Sequence, residues 1–283
     1  MISDFAEYDM GLTNWEAIEL GLYFLAIGYY ILLFFYFMVL KFRVSKKMYW
    51  VYFAGVSLFL ALGRVCFLFH YFFVPPFGST PEVGELLMIW YRFATFFSWM
   101  GISSAMGVLG ILLLPTPIDK DREIKEESEI KQKLKVFFNN DTRRLVVRGI
   151  LIIVPIIIGI FALILPNELF IDPDLIVKYG MSVDPILIGN YPVGRFLYNV
   201  IFLPLLVFLI PFMFIILARR TFGVLRKSYA LNGLGFMIYF AGRLCQFLFE
   251  SLGWPHMKAT IPPLLIIASL LILAIANNVE QLK

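Results

Sequence analysis

Apolar residues run along this chain in long blocks broken by short clusters of charge. Seven blocks stand out, at about 17–40, 48–73, 87–114, 145–166, 194–218, 229–251 and 259–277. Each is long enough to cross the bilayer core, for which a helix needs about 20 apolar residues. Such segments must be helical, because any open backbone in lipid leaves its N–H and C=O groups unpaired. The short alternating segments of a membrane barrel are absent from the pattern. The pattern predicts an all-α polytopic membrane protein, one seven-transmembrane-helix bundle spanning 1–283.

The charges between the blocks orient it. Lys41, Arg43, Lys46 and Lys47 follow the first block, a basic run from Lys120 to Arg148 follows the third, and Arg219, Arg220, Arg226 and Lys227 follow the fifth. Of the 24 basic residues only Arg64, Arg92, Lys178, Arg195, Arg243 and Lys258 lie elsewhere before the tail. Basic loops stay in the cytoplasm, so the N-terminus is expected outside and the C-terminus inside. The charged segment 115–144 is then a cytoplasmic linker, a connector with room for a short interfacial helix and a candidate docking surface for a protein partner. The first sixteen residues carry Asp4, Glu7, Asp9 and Glu16 and no basic residue, unlike a signal peptide.

Composition agrees with this reading. The 283 residues are 60% hydrophobic and only 16% charged, against about 25% in soluble domains. The net charge of +4 follows from the inner loops and calls for no nucleic acid. Cys66 and Cys245 both sit inside apolar blocks, which excludes a disulfide scaffold or thiolate metal cluster.

An internal echo links the second and sixth blocks. At an offset of 179 residues, Gly63-Arg64-Val65-Cys66 falls on Gly242-Arg243-Leu244-Cys245. Both blocks would run outward, so the match predicts a parallel 3+1+3 repeat, with the fourth block as connector. In architecture this layout resembles the small-sugar transporters and KDEL-receptor-like seven-helix proteins, and more loosely the opsins. The proline-glutamine loop pair of the first group is missing, and the seventh block has no lysine to carry a retinal.

Arg64 and Arg243 also lie deep. At 1.5 Å per residue both are about 20–24 Å from the cytoplasmic side. A charge at that depth is costly and points to function. The sequence therefore predicts a membrane solute-binding or transport protein. Its outward-facing cavity, lined by Arg64 and Arg243, would take a small anionic solute or lipid headgroup through bidentate contacts. Glu19, Glu250, Arg92 and Arg195 lie at the same outer level and complete the candidate ligand-binding set. The alternatives are a seven-helix receptor signalling through a separate partner, and an accessory subunit of a membrane complex. No cofactor is expected. The two histidines, His70 and His256, lack metal-ligand spacing, and no nucleophile elbow or phosphate-binding glycine loop occurs, so an enzyme is the least favoured class.

Overall fold

A computed structural model describes residues 14–113, 141–189 and 191–278. The chain is mostly helical, and the described residues hold six helices long and apolar enough to cross a membrane, the make-up of a multi-pass membrane protein. The linker from 114 to 140 lies outside the described residues, and with it the expected interfacial helix and docking surface.

The long helices are α1 (Asn14–Phe35), α2 (Tyr49–Leu68), α3 (Pro81–Leu113), α4 (Asp141–Ile164), α5 (Leu203–Arg220), α6 (Gly223–Ser251) and α7 (Pro255–Ala276). The helix α6 is long but more polar than the other six, since it carries Arg226, Lys227, Asn232, Arg243 and Gln246. Two helices begin well before the apolar blocks do, at Pro81 rather than 87 and at Gly223 rather than 229. Polar first turns hide such starts from a hydropathy reading. In α3 the start is set by Pro81 in the first turn and Glu82 beside the helix's positive end. Likewise Arg143 and Arg144 belong to α4 and not to the preceding linker.

Paired positions show the neighbours antiparallel: Gly63 with Ala94 and Tyr52 with Gly107 for α2 and α3, and Arg148 with Gly110 and Arg92 with Leu163 for α3 and α4. Phe214 pairs with Gly233 and Phe208 with Phe240 for α5 and α6, and Asn232 with Asn277 and Gly242 with Pro262 for α6 and α7. The basic residues after α1, before α4 and around the α5–α6 turn thereby gather at one end of the bundle. The helix α1 packs on α2 and α7, α2 on α3, α3 on α5, α5 on α6, and α6 on α7. Six helices thus close a ring, and α4 stands outside it against α3.

Surrounded on several sides, α3 has every residue from Trp99 to Gly110 buried. Its small residues admit large neighbours: Gly107 takes the ring of Tyr52, and across the α4 seam Gly159 takes Trp99. Side chains then bond carbonyls along that seam. Ser103 Oγ donates to Ile152 O (2.8 Å), Arg148 Nε to Gly110 O (2.9 Å) and Arg92 Nη1 to Leu163 O (3.0 Å). In apolar surroundings such bonds hold helices together where the hydrophobic effect between helices is absent.

At the basic end an amide clasp ties α6 and α7. Asn277 Nδ2 donates to Asn232 Oδ1 (3.1 Å) and Asn232 Nδ2 to Ser228 O (3.0 Å), with Asn232 only 2% exposed. Tyr36, in the π-helical extension of α1 over Tyr36–Phe42, donates its hydroxyl to Asn278 Oδ1. Asn232→Leu strips Asn277 of this acceptor. It is expected to cost about 1–2 kcal/mol, read as a fall of a few degrees in the detergent thermal-unfolding midpoint; an unchanged midpoint would show that the clasp contributes nothing.

At the opposite end, residues between α4 and α5 form a compact cover. A 3₁₀ turn (Asn167–Leu169) leads to a two-turn helix (Pro173–Tyr179), capped by the Asp172 carboxylate accepting from Asp174 N (3.2 Å). Gly180, at φ +62°, ends that helix in the left-handed conformation that glycine takes without strain. A hairpin of Leu187–Ile188 and Tyr191–Pro192 follows. Phe170, Ile171 and Tyr179 are the cover's own buried side chains, and Tyr179 and Met181 press on Gly84 of α3.

Candidate functional site

Under that cover lies a polar cavity of about 70 Å³ between α2, α3, α6 and the stretch leading into α5. That stretch explains much of its wall. A short α-helical turn (Val193–Phe196) passes into a π-helical segment (Leu197–Phe202) just ahead of Pro204. Proline lacks an N–H and crowds the preceding turn, and a widened turn accommodates both effects. Arg195, Tyr198 and Asn199, spaced three and four apart, consequently share the face that lines the cavity.

Arg195 is the best-held of these residues. It is 8% exposed, its Nε donates to Phe170 O (2.6 Å), its Nη1 bonds Asp172 Oδ2 (3.2 Å), and its guanidinium stacks 4.4 Å from the ring centre of Tyr91. Its Nη2 is buried with no hydrogen-bond partner among the described residues. Across the cavity, Arg243 of α6 bonds Gln246 Oε1 (3.3 Å) and lies over the Phe67 ring (5.7 Å). Asn199 Nδ2 contacts the Tyr191 hydroxyl (3.5 Å), while the Tyr198 hydroxyl is used on Ile158 O (2.7 Å). Two guanidinium groups therefore share one cavity with the amides of Asn199 and Gln246, while the Thr95 and Ser98 hydroxyls on its wall donate back to Tyr91 O (2.9 Å) and Ala94 O (2.8 Å); the acid bonded to one guanidinium, Asp172, is itself 34% exposed. Chemically this is a donor-rich pocket suited to a carboxylate or phosphate.

The candidates read from the sequence are distributed differently from the expectation. Arg243 and Arg195 line the cavity, whereas Arg64 does not: it is buried at 5% exposure with its guanidinium 5.3 Å from the ring centre of Tyr23. Arg92 is turned to the α4 seam and to the cover, bonding Leu163 O and lying over Phe170 (5.7 Å). Glu19 is half-buried on α1 near Tyr23, away from the cavity wall, and the side chain of Glu250 lies outside the described ones. Tyr91 and Tyr198, near the ends of their apolar blocks, are buried cavity-wall residues. Asn199, Gln246, Thr95, Ser98 and Trp99 have no signal in the sequence beyond polarity inside an apolar block.

The two histidines have separate settings. His70 is buried and its Nδ1 bonds Leu87 O (2.9 Å), which requires the Nδ1–H form; exposed His256 lies against Trp15. Among the described residues no three His, Cys, Asp or Glu side chains gather as metal ligands. A scan of protein-family models finds no match to this chain, and neither a curated protein nor a solved structure matches it.

Proposed function

We propose that the chain is a seven-span membrane protein, N-terminus outside, that binds a small anionic solute or lipid headgroup in the cavity opening beneath the outer cover, and carries it across. The observation behind this reading is the pairing of Arg195, with its unpartnered Nη2, and Arg243 on one polar cavity. In this reading α6 is the seventh span, held between α5 and α7, and its polar residues serve the cavity and the clasp. The basic end faces the cytoplasm, where the Asn232–Asn277 clasp closes the bundle beneath the binding site.

The parallel 3+1+3 repeat belongs to the same proposal, and the ring order favours it. Exchanging α1, α2 and α3 with α5, α6 and α7 maps each neighbour pair onto another, including the joints α7–α1 and α3–α5. The glycines of the two matched motifs also occupy like seats. A Cβ on Gly63 would stand 3.2 Å from Ala94 O of α3, and one on Gly242 would stand 3.2 Å from Pro262 O of α7. Each motif glycine thus lets its helix approach the helix that follows. Parallel repeats around a membrane-depth site are a feature of secondary transporters.

Native mass spectrometry of gently solubilised protein, with acetate, inorganic phosphate and glycerol phosphate as probes, tests the binding. A retained anion is expected, with Arg243→Gln weakening it about tenfold or more, the effect of losing one charge-assisted bond. Anion affinity equal in wild type and variant would remove the cavity from the account. Flux of the retained species into liposomes then separates carrier from receptor, because binding without flux overturns the transport half of the proposal.

A further inference from the structure

The cavity that holds Arg195 and Arg243 is polar on some walls and apolar on others, and this narrows what it can take. Arg195 donates Nε to Phe170 O and Nη1 to Asp172, and its buried Nη2 has no partner among the described residues. The groups acting on this guanidinium are Tyr91, Asp172, Tyr71 and Tyr191, so Asp172 is the one acid among them. Arg243, across the cavity, donates Nη1 to Gln246. Arg195, Arg243 and the bonded Asp172 together carry one positive charge. Lys258 lies over the Tyr71 ring (5.3 Å) but is not a wall residue, and it has a further interaction of its own. The other walls offer a polar ligand little. Phe67, Leu203 and Leu244 carry no polar side-chain atom, and the Tyr198 hydroxyl is used on Ile158 O.

Size sets a second limit. At about 70 Å³ the cavity has about half the volume of the roughly 150 Å³ cavity that takes up benzene. A phosphate ester or a lipid headgroup is too large for it. Inorganic phosphate is small enough but has oxygens on every side, and those turned to Phe67, Leu203 and Leu244 would lose water without gaining a bond. A carboxylate has its oxygens at one end, where a guanidinium pairs with them, and its alkyl end matches the apolar wall. Its single charge balances that of the Arg195–Asp172–Arg243 group. We infer that the ligand is a free monocarboxylate of about two or three carbons, its oxygens on the arginines and its alkyl end against Leu203 and Leu244. This rests on the reading of the cavity as an anion site.

Calorimetric titration of the full chain in detergent tests it, with acetate, propionate, valerate, benzoate and inorganic phosphate as separate probes. Acetate and propionate are expected to bind tightest. Valerate and benzoate should bind about tenfold or more weaker, because they overfill the cavity, and phosphate should fall behind by about as much. Leu244→Ala opens the apolar end and should narrow the gap between valerate and acetate about threefold or more; Leu203→Ala serves the same end if the first does not fold. Valerate or phosphate binding as tightly as acetate in wild type, and weakened in Arg243→Gln, overturns the short monocarboxylate and leaves the anion cavity standing. A gap that stays unchanged in a folded leucine variant also overturns it, because the alkyl end then lies elsewhere. Binding absent for every probe, or unaltered by Arg243→Gln, overturns the cavity reading and this inference with it.

Discussion

Arg195→Leu is expected to destabilise the protein by about 3 kcal/mol, measured as a drop in the thermal midpoint in detergent and as faster proteolysis within 165–192. The change removes the donors to Phe170 O and to Asp172 and leaves the buried Phe170 carbonyl without its side-chain bond. An orphaned buried acceptor costs about 1–3 kcal/mol, and a bond to a charged group is worth about 1.5–3 kcal/mol. Asp172 is a third exposed, so water recovers part of the ion-pair loss. Arg195→Lys should fall between, since an ammonium keeps the charge but cannot make the two-pronged contact. A leucine variant with an unchanged midpoint and an intact cover would mean that the cover is held by its apolar residues alone.

Gly107→Ala is the second large effect. A Cβ at this position would run into the Tyr52 ring and stand 2.9 Å even from the ring carbon nearest the backbone, so the ring must move or α2 and α3 must part. Overpacking of this kind costs about 1–3 kcal/mol. Adding Tyr52→Leu should restore part of that loss, which a purely local effect at Gly107 would not allow. Gly28→Ala in α1 supplies the contrast, because nothing lies within 4 Å of the added carbon; it should be neutral or mildly stabilising. Equal losses at Gly28 and Gly107 would remove close helix approach as the cause.

The helices were legible in the sequence because lipid leaves a chain little choice: a block such as 145–166 must pair its own backbone, and it does so as α4. The small-residue run from Gly101 to Gly110 was equally readable, since glycine at such spacing serves close packing. The site was less so. Arg64 and Arg243 occupy the same place in matched motifs, and sequence conveys their depth but not the neighbour each one faces. Which helix stands beside α2 or α6 is decided by the ring order, a long-range property. The ring sets Arg64 against the tyrosines of α1 and Arg243 against the stretch leading into α5. The role of Arg195 depends on a widened helical turn and on a carbonyl 25 residues earlier in the chain, neither of which has a periodic signature. Tyr91 and Tyr198 likewise lie near block ends, and a hydropathy plot does not convey the protein walls that bury them.

The ring order also bears on the sequence of events during synthesis. The helices α1, α2, α3 and α4 each meet a neighbour as soon as it is made, through contacts close along the chain. The joint between α1 and α7 links the first of these helices to the last, so the circle stays open until α7 emerges. Contacts so distant along a chain form late, and the free flank of α1, with Glu19, Tyr23 and Tyr30 on it, must wait beside lipid or a chaperone for most of translation. Nascent chains stalled before α7 should therefore be the species in which this flank is most open to quality control.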